Sequence, residues 1–239
     1  MNIAIILAGG IGARLSTDIP KQFLKIDGKT IIEHTLSVFE QHSQIDEIAI
    51  VVNAQYLSEM RETVQYRGFK KIKKIIEGGT QRQDSCWAAI QSYSNYPEAN
   101  LIIHDAVRPL VSAEIISEVI LKLEIYNAVT VAIPSTDTIY KVENSCIQQV
   151  PNRKNLMRAQ TPQAFKQHII EKAYLSAYFQ NDFLCTDDCG IVAKYLPDEP
   201  IFVVAGNERN FKITHNTDLY ILEHLLNDAC KKQVSSSIF

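Results

Sequence analysis

Short, nearly continuous runs of apolar and β-branched residues recur at positions 3–8, 47–52, 72–76, 101–104, 129–133 and 201–205. Runs of that length, without polar alternation, are the pattern of strands buried on both faces. Between them the apolar positions change to helical spacing. Ile31, Ile32, Thr35, Leu36 and Phe39 fall on one helix face, and Ile115, Ile116, Val119, Ile120 and Leu123 on another. Leu219, Ile221, Leu222, Leu225 and Leu226 form a third stripe, with Thr217 or Asp218 as its cap. Strands and helices in this order predict an α/β fold, a mostly parallel sheet with helices on both faces.

Residues 135–160 break the alternation. Two short β-like pieces, at 138–142 and 146–150, lead into Pro151-Asn152-Arg153 and then a polar segment at 157–160. Two strands and a turn cannot bury both faces alone, so this stretch reads as a projecting β-arm that needs another surface. That surface belongs either to its own domain or to a second subunit. Residues 231–239 are polar and serine-rich and read as a fraying tail, which leaves a single domain over 1–230.

Composition narrows the function classes. The chain has 239 residues, 46% of them hydrophobic and 21% charged, which excludes a mainly disordered protein. Its 24 Lys and Arg against 27 Asp and Glu give a net charge of −3. That balance argues against broad binding to nucleic acid or anionic membrane, while leaving room for a local basic pocket. No apolar run approaches the roughly 20 residues of a membrane span. The N-terminus enters directly into the run at 3–8 without a basic segment, so no signal peptide and a cytoplasmic location are expected. Cys86, Cys146, Cys185, Cys189 and Cys230 are scattered and read as reduced thiols, and the six histidines form no metalloprotease pattern.

In open parallel sheets, ligands gather beyond the carboxyl ends of the strands. After the first run comes Leu7-Ala8-Gly9-Gly10-Ile11-Gly12-Ala13-Arg14, then Pro20-Lys21-Gln22-Phe23. Glycines let backbone N–H groups approach a phosphate chain, and Arg14 and Lys21 add two cations; neither the dinucleotide spacing nor the P-loop lysine is present. After the third run, Gly78-Gly79-Thr80-Gln81-Arg82-Gln83-Asp84-Ser85 opens a helix and suits base and ribose recognition. After the fourth stands His104-Asp105-Ala106-Val107-Arg108-Pro109. A carboxylate at a strand end suits Mg²⁺, which takes one or two carboxylates plus substrate phosphates. The lesser alternatives are that Asp105 only caps a helix and that Arg108 is a structural ion-pair partner.

With Thr161-Pro162-Gln163-x-Phe165, Thr186-Asp187-Asp188 and Lys212-Ile213-Thr214, these motifs stand in the order of one family. Over about residues 2–228 the sequence resembles the cytidylyltransferases that include the 2-C-methyl-D-erythritol 4-phosphate and ribitol-5-phosphate enzymes. The resemblance implies a Rossmann-like nucleotidyltransferase fold, CTP with Mg²⁺ or another divalent cation, and a homodimer through an exchanged β-arm. It implies a CTP loop at Ala8, Gly9, Gly10, Gly12 and Arg14, and a phosphate-binding Lys21. Gly78, Gly79, Arg82 and Ser85 match the cytosine and ribose positions, and Asp105 the metal-binding aspartate. Arg108, Thr138, Arg153, Thr161 and Lys212 match contacts to the sugar-alcohol phosphate, Arg153 reaching the partner subunit's site.

Arg14, Lys21, Lys212 and the cation would neutralise crowded charge while the acceptor's phosphate oxygen attacks the α-phosphorus of CTP and pyrophosphate leaves. Leu-Ala-Gly-Gly in the first loop, Asp137-Thr138-Ile139 and Phe211-Lys212-Ile213-Thr214 lean toward the ribitol branch, which feeds surface polymers. The methylerythritol branch of isoprenoid synthesis is the alternative. A sugar-1-phosphate nucleotidyltransferase shares the first loop but lacks the later motifs. A non-catalytic nucleotide-binding module has no need of Asp105, Arg153 and Lys212 together.

Overall fold

A computed structural model describes residues 1–10, 19–182 and 185–236. The first apolar run is β1 (Asn2–Ala8). A small hairpin follows, β2 (Lys25–Ile26) and β3 (Lys29–Thr30), turned at Asp27 and Gly28 with φ of 49° and 73°. Positive φ at both turn residues suits the twist of a two-residue hairpin, hence the Asp-Gly pair. Thr30 and Glu33 then form a capping box that starts α1 (Ile31–Gln41).

The alternation continues with β4 (Glu47–Val52), α2 (Leu57–Arg67), β5 (Ile72–Glu77), α3 (Arg82–Gln91), β6 (Asn100–Asp105), α4 (Ala113–Lys122) and β7 (Ala128–Pro134). The arm carries β8 (Lys141–Glu143) and β9 (Cys146–Gln149). The chain returns through β10 (Met157–Lys166), α5 (Gln167–Phe179), α6 (Asp188–Tyr195), β11 (Ile201–Ala205) and α7 (Asn216–Ser236).

Seven strands make one sheet in the order β11-β7-β10-β6-β1-β4-β5. Every pairing is parallel except those of β10, which runs antiparallel to both β6 and β7. Successive side chains serve opposite cores. Ala4, Ile6, Ile48, Ile50 and Ile102 face α1, α2 and α4, while Ile3, Ile5, Ala49, Val51 and Ile103 face α3, α5 and α6. Each isoleucine or valine among them contributes about 1.5–3 kcal/mol by leaving water. No helix among the described residues is long and apolar enough to cross a membrane.

Chain order also fixes where a ligand can sit. From β1 the chain steps outward to β4 and β5, then crosses back to β6 on the other side of β1. The loops therefore diverge above β1 and β6, a topological switch point where open α/β sheets form their crevice.

The polar segment at 157–160 is the start of β10, whose first three residues are exposed and whose next six are buried. Two sequence expectations are corrected. In the arm, strand structure covers Lys141–Glu143 and Cys146–Gln149, so Thr138 lies outside it. Every residue of β8 and β9 is exposed, including Val142 at 56% and Ile147 at 57%. At the C-terminus, residues 231–236 continue α7 instead of forming a separate tail.

Candidate active site

The ends of β1, β4, β5 and β6 open into a cleft of about 600 Å³, a size suited to a nucleotide. Ala8, Gly9 and Gly10 line it from the end of β1. Gly12 and Arg14 lie outside the described residues. Lys21 lines the cleft from a short 3₁₀ turn, Lys21–Phe23. Its neighbour Gln22 is buried and donates from Nε2 to the carbonyls of Ala8 (2.7 Å) and Gly10 (2.9 Å), fastening the lysine turn to the glycine loop.

The second glycine pair is required by close packing. A Cβ on Gly78 would stand 2.8 Å from Ser85 Oγ, and one on Gly79 only 2.1 Å from the Asp84 Cβ. The chain thereby folds tightly onto the start of α3, which the Gln81–Asp84 capping box secures. Gly79, Thr80, Gln81, Arg82 and Ser85 present this helix start to the cleft, where backbone N–H groups and the dipole favour anions. Gly78 sits behind it, against Ser85 and Val51.

Arg82 is held from the other side. Its guanidinium forks onto Asp188, with Nη1 to Oδ1 at 3.0 Å and Nη2 to Oδ2 at 2.6 Å. Asp188 is fully buried and also accepts from the Tyr174 hydroxyl at 2.6 Å. Burial alone would raise its carboxyl, but the adjacent Arg82 overrides that and lowers it.

Asp105 closes β6 at the opposite wall. Its Oδ2 receives Lys212 Nζ at 3.1 Å and Arg108 Nε at 3.2 Å. Burial opposes ionisation, yet these two cations hold the carboxyl well below the usual carboxylate range. Behind it, the Thr161 hydroxyl accepts from the Asp105 N–H at 3.1 Å and meets His104 Nδ1 at 2.9 Å. His104 Nε2 faces the Arg108 carbonyl at 3.1 Å. A neutral ring protonated at Nε2 satisfies both contacts, and burial pushes this histidine down to about 4.

The structure therefore brings Ala8, Gly9, Gly10, Lys21, Gly79, Arg82, Ser85, Asp105 and Lys212 to one cleft. It treats four expected acceptor contacts differently. Arg108 and Thr161 are buried beneath the cleft with their polar atoms committed to Asp105, His104 and the Asn210 carbonyl. Thr138 and Arg153 are exposed on the arm, and Arg153 donates to the Thr136 carbonyl at 3.0 Å. Sequence reasoning missed Asn53 in the lining, and Leu7, Gln22, Thr80, Gln81, Ala106 and Val107 stood in its motifs without a role of their own. Asn53, next after β4, was legible from its place at a strand's carboxyl end.

The chain is similar to several known proteins. The family described as 2-C-methyl-D-erythritol 4-phosphate cytidylyltransferase matches residues 2–228. The bifunctional ribulose 5-phosphate reductase/CDP-ribitol pyrophosphorylase Bcs1 of Haemophilus influenzae is 48% identical over 227 residues, covering 94% of this chain and 48% of that protein. This chain thus spans about half the length of that relative. The 2-C-methyl-D-erythritol 4-phosphate cytidylyltransferase of Thermobifida fusca is 40% identical over 229 residues, 93% of this chain and 92% of the relative. Among solved structures, 4-diphosphocytidyl-2C-methyl-D-erythritol synthase from Anaerococcus prevotii superposes with a TM-score of 0.83 at 28% identity, covering 95% of this chain and 96% of the other.

Proposed function

The chain belongs to the 2-C-methyl-D-erythritol 4-phosphate cytidylyltransferase family, and from that premise we propose that it transfers CMP from CTP to D-ribitol 5-phosphate, forming CDP-ribitol and releasing pyrophosphate. CTP-dependent cytidylyl transfer is the family's reaction. The acceptor rests on one observation, the 48% identity to a protein named for CDP-ribitol synthesis, against 40% for the Thermobifida methylerythritol enzyme. The second reading, 2-C-methyl-D-erythritol 4-phosphate, is favoured by the family description and by that relative's coverage of 92%.

The chemistry asks for charge and alignment more than for a base, because a phosphate monoester is already an anionic nucleophile. Lys21 approaches the triphosphate from the cleft wall, and the sequence supplies Arg14 as a second cation in the first loop. Gly79, Arg82 and Ser85 take the base and ribose, and Lys212 takes the acceptor's phosphate. An ionised Asp105 in the wall of the cleft fits a divalent cation that keeps its waters and draws its other ligands from substrate phosphates. Among the described residues no group of three His, Cys, Asp or Glu forms a cage, so Asp105 would hold Mg²⁺ jointly with CTP. Bound there, the cation supplies positive charge against the phosphates.

The wholly exposed arm strands support a homodimer in which the arm, with Arg153, reaches the neighbouring subunit's acceptor site. The same reading takes the enzyme as cytoplasmic, with no broad nucleic-acid contact and no membrane attachment. The test is pyrophosphate release with CTP and each acceptor in turn, with and without chelator. Faster turnover with ribitol 5-phosphate, lost on chelation, is expected; a clear preference for the methylerythritol phosphate overturns the acceptor assignment.

A further inference from the structure

A buried carboxamide, Asn210, stands two residues before Lys212 in the chain. The residues between β11 and α7 cross the sheet's edge with no regular structure, and Lys212 emerges from their middle, its side chain 40% exposed. A lysine on an irregular segment has many rotamers, and holding it over Asp105 requires the backbone on either side to be fixed.

Both sides are fastened. After Lys212, the Ile213 N–H donates to the Val107 carbonyl at 2.9 Å, and Asp218 accepts from the N–H groups of Thr214 and His215, each at 2.7 Å. Before it, the fastening depends on Asn210. That side chain is fully buried, and its Nδ2 donates to the Thr161 carbonyl at 2.8 Å and to Gln160 Oε1 at 3.2 Å. Gln160 in turn donates to the Asn207 carbonyl at 2.9 Å. The Asn210 carbonyl accepts from Arg108 Nη1 at 2.8 Å, and Arg108 is the other cation on Asp105. One residue therefore ties the Lys212 segment to strand β10 and to the counter-ion of the carboxylate that Lys212 meets.

We propose that Asn210, through Gln160 and Thr161, is a positioning residue that aims Lys212, so that its loss affects the reaction through Lys212 and not through CTP binding. The inference rests on the reading of Lys212 as a phosphate-binding cation, and a double-mutant cycle separates the two. Asn210→Ala, Lys212→Ala and the double variant are compared by kcat and KM for each substrate, by CTP binding alone and by thermal melting, using whichever acceptor is turned over.

Lys212→Ala is expected to slow turnover by about 10²-fold or more, the scale of losing one charge-stabilising group. Asn210→Ala should slow it by at least about tenfold with CTP affinity within about threefold of wild type, and the double variant should be no slower than Lys212→Ala alone. Losses that multiply in the double variant, or CTP affinity that falls in step with turnover, would mean that Asn210 serves the fold generally and would overturn the proposal. A Lys212→Ala enzyme with wild-type turnover removes the lysine from the reaction, and the proposal with it. If Asn210→Ala does not fold, Gln160→Leu removes the strand-side partner and must show the same non-additivity.

Discussion

The buried pair between Arg82 and Asp188 makes a quantitative prediction for Asp188→Asn. The substitution keeps the shape and leaves one oxygen for the Tyr174 hydroxyl. It removes the charge and turns an amide NH₂ toward the Arg82 fork, so a donor meets a donor. Breaking a fully buried pair costs about 3–5 kcal/mol. Arg82 keeps 28% of its side chain exposed, so water recovers part of the guanidinium's hydration, and about 2–3 kcal/mol is the expected loss. In a chain of this length each kcal/mol lowers Tm by about 2–4 °C, which gives a drop of about 4–12 °C. The same change frees Arg82 in the cleft wall, so KM for CTP should rise more than kcat falls. Thermal melting and steady-state kinetics on one preparation read both effects. A variant that melts within about 1 °C of wild type and keeps its KM for CTP would refute the argument that this pair anchors the cleft wall.

His104 supplies a pH prediction: burial holds it at about 4 against an ordinary value of 6.5. A depressed histidine contributes stability that is present above the ordinary value and lost as pH falls toward the folded one, here by up to about 3 kcal/mol between pH 6.5 and 4. Urea unfolding across that window should show the loss and His104→Gln should flatten it; superimposable curves for the two proteins would rule the histidine out. The exchanged arm is tested by mixing inactive Arg153→Ala and Lys21→Ala subunits under conditions of demonstrated exchange. Up to about a quarter of wild-type activity should return, because one site of each mixed dimer is intact, and no recovery would assign Arg153 to its own subunit.

Much of this is legible in the sequence. Strands β1, β4 and β6 are buried almost throughout, so their runs are almost uninterrupted, and β1, β5 and β6 lead into the glycines or carboxylate that line the site. Strand β10 was not legible, because its outer third is polar and exposed and its inner part contains Pro162. The role of Arg108 was not legible either, since a buried ion pair and a ligand contact ask for the same side chain. Gln22 and Asn210 act through partners distant in the chain, Ala8 and Gln160 among them, and an isolated carboxamide carries no periodic signal. Asp188 stood in a recognised motif, but only the fold shows that it grips Arg82 from 106 residues away.

Between β7 and β10 the register changes at one place: Gln160 stands opposite Val131, but Gln163 stands opposite Thr130. Thr161 and Pro162 are the surplus residues of this bulge, and Thr161 is thereby turned toward Asp105. The ladder on the arm side, at Met157–Gln160, is set separately from the ladder on the core side, at Gln163–Phe165. Insertions or deletions beyond the bulge need not propagate past it. The arm can therefore be lengthened, shortened or reshaped while the carboxylate at the end of β6 stays where it is.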